Sequence, residues 1–139
     1  GPGGLHTARG NVVEVMLRLA NSGQPIRVVE DFVASPTYAP ELAARTADLV
    51  DRNVAGVVHG GGGAAFSCFD YARLIFEVAG LQPELKPTSE REHRTLARRP
   101  KFSALSNGKM ERLGVKPMPS MREVVEDYMA RRTQEVAIA

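Results

Sequence analysis

After Asn11, apolar residues fall at Val12, Val13, Met16, Leu17 and Ala20, a spacing of three and four that gathers them on one helical face. Asn21-Ser22-Gly23 predicts the end of that helix, because glycine enters the left-handed conformation at little cost. Ile26-Arg27-Val28-Val29 is short and β-branched and predicts a strand. Pro36 and Pro40 punctuate the next segment. Pro40 suits the first turn of a helix, where an N–H would go unpaired anyway. That helix is predicted to run to about Asp51, burying Leu42, Ala43, Ala47, Leu49 and Val50. A turn at 53–56 leads to a second predicted strand, Val57-Val58-His59. Strand, turn, helix, strand is one crossover unit of a parallel sheet, so the predicted fold class is α/β.

Ser67 with Asp70 three residues on predicts a further helix start, with Phe69, Ala72, Ile75, Phe76 and Ala79 inward and Gly80 as the stop. Residues 81–88 read as extended, and Pro83 and Pro87 place them at an edge or on an irregular path. A short helix is predicted from Asn107 to Leu113. A final one opens with the Ser120/Glu123 capping box and buries Met121, Val124, Val125, Tyr128 and Met129. The tail after Arg132 is expected to fray.

Composition narrows the function classes. The 139 residues suit a single domain, and 18 Lys+Arg against 16 Asp+Glu leave a net charge of +2, too little for a nucleic-acid footprint. One cysteine, Cys68, excludes an internal disulfide and favours a reduced, cytoplasmic setting. No apolar run approaches the roughly 20 residues of a membrane-spanning helix, so neither nucleic acid nor membrane is an expected partner.

Four segments, in order, resemble the C-terminal part of the dTDP-4-dehydrorhamnose reductases, extended members of the short-chain dehydrogenase/reductase superfamily. They are Asn11-Val12-Val13 through Ala20, and Arg27–Asp31 running into Ser35-Pro36-Thr37-Tyr38-Ala39. The others are Gly56–His59 with its glycine-rich exit into Phe69–Phe76, and Ala97-Arg98-Arg99-Pro100 with Ser103–Leu105 and Lys109–Gly114. The resemblance spans about Gly10 to Met129. It implies a small parallel strand element with flanking helices, a C-terminal fragment of an extended Rossmann-type reductase. It also implies a sugar-nucleotide-binding role in reducing the 4-keto group of a nucleotide deoxysugar, with NADPH or NADH serving the complete enzyme.

That family carries its dinucleotide glycines and a Tyr-x-x-x-Lys pair in its first half. Here Tyr38 is followed four residues on by Leu42, Tyr71 by Ile75 and Tyr128 by Arg132. The acid that carbonyl reduction needs is therefore missing, and the chain alone is expected to be inactive and to bind no cofactor. Its expected partners are a nucleotide-sugar substrate and either a Rossmann half or a second copy, since unpaired strand edges invite pairing. A non-catalytic regulatory module of the same superfamily is the alternative.

Candidate binding residues follow. Arg98 and Arg99 lie in a basic stretch that either is a solvated loop or contacts the substrate diphosphate bidentately. Thr37 and Tyr38 sit at a strand-to-helix exit, where open α/β sheets collect ligands or a helix start simply packs. Gly60-x-Gly62-x-x-Ala65 fits a loose phosphate-binding fingerprint, with a flexible turn feeding the Ser67 cap as the blander reading. His6, His59 and His93 are too scattered for a metal, and Cys68, though beside a helix start, has no base partner in reach.

Overall fold

The computed structural model describes residues 11–92 and 98–138. His6, His93 and Ala97, singled out above, lie outside them. Five helices surround two small sheets among the described residues: α1 (Val12–Asn21), β1 (Ile26–Val29), β2 (Val33–Ala34), α2 (Ala39–Asp51), β3 (Phe66–Ser67), α3 (Cys68–Ala79), β4 (Leu85–Thr88), α4 (Gly108–Arg112) and α5 (Met121–Ile138).

The parallel pair is β1 with β4, in register Ile26–Leu85 to Val29–Thr88. Pro87 is tolerated for a geometric reason. Ile26 N–H donates to Glu84 O at 2.8 Å and Glu30 N–H to Thr88 O at 2.9 Å. Bonding residues alternate along a parallel ladder, so position 87 faces away from β1 and needs no donor there.

The segment Val57–His59, predicted as a strand, is not one. Val57 is exposed, and Lys109 Nζ donates to its carbonyl at 2.7 Å. Three residues without a neighbouring strand cannot repeat a ladder, and the crossover ends at β4. A second, antiparallel sheet pairs β2 with β3, and Val33 also bridges to Phe102.

Helix α3 links both core clusters. Ala72 and Phe76 pack on Ile26 and Val28 of β1, while Ile75 joins Val13 and Leu17 of α1 and Val125 and Tyr128 of α5. The predicted caps are in place. Ser67 Oγ accepts from Asp70 N at 3.0 Å, and Ser120 and Glu123 exchange bonds at 2.8 and 3.3 Å. The same Ser120 contacts hold the Glu123 carboxyl below its usual range. Helix α5 does not stop near Arg132 but continues to Ile138, with residues 133–138 exposed.

Helix α2 departs most from expectation. Ala43, Ala47 and Val50 are exposed, Leu42 and Leu49 only half-buried, and the one buried residue is Arg45. Its guanidinium donates to Lys116 O at 3.3 Å and Pro117 O at 2.8 Å and pairs with Glu41. The helix is seated by a charged staple on the 116–117 loop, which leaves its apolar stripe outward.

Candidate functional site

The turn Ser35-Pro36-Thr37-Tyr38 is held from three sides. Thr37 Oγ1 donates to Ser35 O at 2.8 Å, and Leu105 N donates to Ser35 Oγ at 3.0 Å. Gly62 presses on its back, where a β-carbon would stand 1.7 Å from the Pro36 carbonyl oxygen. Asn107 locks the adjacent glycine, accepting from Gly61 N at 2.9 Å and donating to Gly61 O at 3.0 Å. Gly61 and Gly62 are buried. The glycine run is thus neither an open phosphate cradle nor a loose turn. It is a close-packing surface whose Gly61 amide is already taken, and β3 stands between it and α3.

This turn forms one wall of a cavity of about 200 Å³ between the head of α1, α3 and α5. Thr37 and Tyr38 line it with Val12, Tyr71, Val124 and Tyr128. Thr37 is exposed and Tyr38 buried. Tyr38 donates its hydroxyl proton to Asp127 at 2.8 Å, and Asp127 in turn pairs with Arg131 at 2.9 Å. Burial first, and then Asp127, push Tyr38 up to about 12.

Tyr128 donates to Glu14 and accepts from Asn11, both at 2.8 Å, and Arg132 reaches the same Glu14 oxygen at 2.8 Å. Burial leads again in raising Tyr128 to about 12, the Glu14 contact adding to it and the Asn11 bond opposing it. Tyr71 is raised by burial alone, and its hydroxyl has no hydrogen-bond partner among the described residues. Every phenol here is held in its neutral form.

Arg98 and Arg99 do not line the cavity. They are exposed at the start of the segment that flanks β2, where Val33 bonds Lys101 O at 2.8 Å and Ser103 N at 2.9 Å. Neighbouring cations are engaged, Arg27 with Glu92 and Lys101 with Asp31. Neither Arg98 nor Arg99 has a hydrogen bond or ion pair among the described residues. Arg99 lies close enough to the head of α3 for its charge to pull the Cys68 thiol down, against a larger upward push from burial. Cys68 therefore carries a raised pKa, the direction opposite to that of an activated thiol. No group of three His, Cys, Asp or Glu side chains among the described residues is arranged to hold a metal. No helix among them is long and apolar enough to cross a membrane.

Asn11, Glu14, Tyr71, Asp127 and Tyr128 belong to this region but are not legible as site residues from the sequence. The i, i+4 pairs Asp127/Arg131 and Tyr128/Arg132 are its only local trace.

Comparison with known proteins accounts for the arrangement. Residues 5–134 match the family described as the RmlD substrate binding domain. A dTDP-4-dehydrorhamnose reductase of Mycolicibacterium smegmatis is 36% identical over 120 residues, covering 85% of this chain and 37% of that protein. A spore coat polysaccharide biosynthesis protein of Bacillus subtilis is 32% identical over 123 residues, covering 88% of this chain and 43% of that one. Among solved structures, a dTDP-4-dehydrorhamnose reductase from Bacillus anthracis in complex with NADP superposes with a TM-score of 0.81 at 30% identity, over 87% of this chain and 43% of its own. The chain thus spans about two-fifths of the length of these relatives. With parallel strands, flanking helices and a match running nearly end to end, the chain belongs to the RmlD substrate-binding domain family.

Proposed function

We propose that this chain is the sugar-nucleotide-binding portion of an NAD(P)-dependent reductase that acts on the 4-keto group of dTDP-4-dehydro-L-rhamnose or a similar nucleotide deoxysugar. The observation that carries the reading is the family match over residues 5–134. The guanidinium groups of Arg98 and Arg99, which have no hydrogen bond or ion pair among the described residues, support it, because guanidinium forks match phosphate oxygens bidentately. Thr37 and Tyr38 shape the neighbouring cavity. The chain acts as one domain, in the cytoplasm, and contributes recognition, while NADPH or NADH and the proton donor belong to a Rossmann half. β1 pairs with β4 alone among the described residues, which leaves an edge for that half or for a second copy.

Calorimetric titration with dTDP tests the assignment. Charge-assisted hydrogen bonds contribute roughly 1.5–3 kcal/mol each. The Arg98→Ala/Arg99→Ala double variant is therefore expected to bind dTDP at least tenfold more weakly, with its melting temperature unchanged. Equal affinity in the two proteins removes the arginines from the site.

A further inference from the structure

We propose that Asn107 is a positioning residue: its amide fixes the glycine floor under the Ser35–Tyr38 turn and, through the 98–107 segment, sets where Arg98 and Arg99 stand relative to that turn. The inference rests on the substrate-binding reading above and adds to it the side chain that keeps two parts of the site in register.

The segment that carries the arginines has little apolar anchorage. From 98 to 109 the one buried side chain is Asn107, at 6% exposure. A row of hydrogen bonds holds the segment instead. Val33 N–H donates to Lys101 O at 2.8 Å, and Ser103 N–H donates to Val33 O at 2.9 Å. Two residues further along each strand of chain, Leu105 N–H donates to Ser35 Oγ at 3.0 Å. Asn107 then closes the row on Gly61, its Oδ1 accepting from the N–H at 2.9 Å and its Nδ2 donating to the carbonyl at 3.0 Å.

This last pair is the shielded member of the row. A buried amide with both groups satisfied is costly to open, because each group left behind loses its partner away from water. Gly61 is also where the two segments meet. A β-carbon there would stand 3.1 Å from Ser35 Cβ and 3.3 Å from Leu105 Cβ, while the next residue, Gly62, abuts the Pro36 carbonyl oxygen. Fixing Gly61 therefore fixes the turn that ends in Thr37 and Tyr38 together with the segment that begins at Arg98. A stretch held by hydrogen bonds over few apolar contacts opens locally at small cost. A ligand that touches the arginines and the exposed Thr37 together gains from both only while the register holds. Ligand contacts and the Asn107 pair must then stabilise each other by the same factor.

Calorimetric titration of the full chain with dTDP, joined to amide hydrogen exchange, tests the proposal. Asn107→Ala is expected to bind dTDP at least about fivefold more weakly. In that background the Arg98→Ala/Arg99→Ala pair is expected to cost less than about threefold further, in place of its tenfold effect alone. A merely structural amide would lower the melting temperature and leave the arginine effect at full size. Ser35→Ala removes one outer bond of the row and is expected to weaken dTDP about twofold. In the wild type, saturating dTDP is expected to slow exchange of the Gly61 and Leu105 amides at least about fivefold. At matched saturation the arginine double variant should show no such slowing. The exchange measurement decides the matter if Asn107→Ala does not fold. Wild-type affinity in a folded Asn107→Ala protein, an undiminished arginine effect in its background, or no slowing in the wild type overturns the inference while the nucleotide-binding reading stands. Slowing that persists without the arginines overturns it too. Failure of the wild type to bind dTDP at all is a different outcome, and it takes the substrate-binding reading down as well.

Discussion

Helices α2 and α3 are of similar length and both carry an apolar stripe, yet they are anchored by opposite means. α3 has Ile75 fully buried, with Ala72 and Phe76 at 1% and 3% exposure, between the strand pair and two other helices. α2 buries one residue, Arg45 at 8% exposure, and leaves Val50 69% exposed. The difference teaches that an apolar stripe predicts a helix more reliably than it predicts which way the helix will face. Orientation was decided for α2 by bare carbonyls at Lys116 and Pro117, which a guanidinium with several donors can satisfy at once. The same device recurs nearby, where Arg52 bonds Leu113 O and Gly114 O, both at 3.1 Å. One side of the molecule is held by burial of apolar area, the other by cations clasping a loop.

The contrast can be broken by mutation. Ile75→Ala is expected to have the largest effect, about 3–4 kcal/mol of lost stability in urea unfolding, because it removes a fully buried side chain from the cluster that α3 shares with α1 and α5. A loss below 1 kcal/mol would mean that α3 is not the central helix. Arg45→Ala should cost about 2 kcal/mol, since it strips two loop carbonyls and the Glu41 carboxylate of their partner. Unlike a core deletion, it should expose the 113–118 loop to proteolysis before global unfolding. A loss matching that of Ile75→Ala would erase the distinction between the two sides. Val50→Ser should change stability by less than about 0.5 kcal/mol, as exposed substitutions do. A larger, concentration-dependent loss would show that the α2 face is covered in solution.

The helices that were legible share one property: their signals are local. The Ser67/Asp70 and Ser120/Glu123 caps lie within one turn, and the inward faces of α3 and α5 follow from spacing alone. The strand pairing was half legible. Ile26–Val29 reads as a strand by composition, but its partner lies some sixty residues on and carries a proline. The Val57–His59 segment, more β-like by composition, was the natural wrong choice. Among candidate site residues, the sequence singles out Arg98, Arg99, Thr37 and Tyr38 by type and position. The cavity that Thr37 and Tyr38 share with Tyr71 exists only because α1, α3 and α5 converge.

Helix positions, their caps, the α/β class and the family resemblance were written in the order of residues, because each depends on neighbours within a few positions or on a motif read in line. Which strand pairs with β1, which face of α2 meets solvent, and why four glycines follow His59 were settled by the fold. Those outcomes depend on unpaired backbone groups and close approaches between segments distant in sequence: Gly62 on Pro36, Asn107 on Gly61, Arg45 on Lys116 and Pro117. A linear pattern carries no information about such meetings until the chain has folded and brought them within hydrogen-bonding distance.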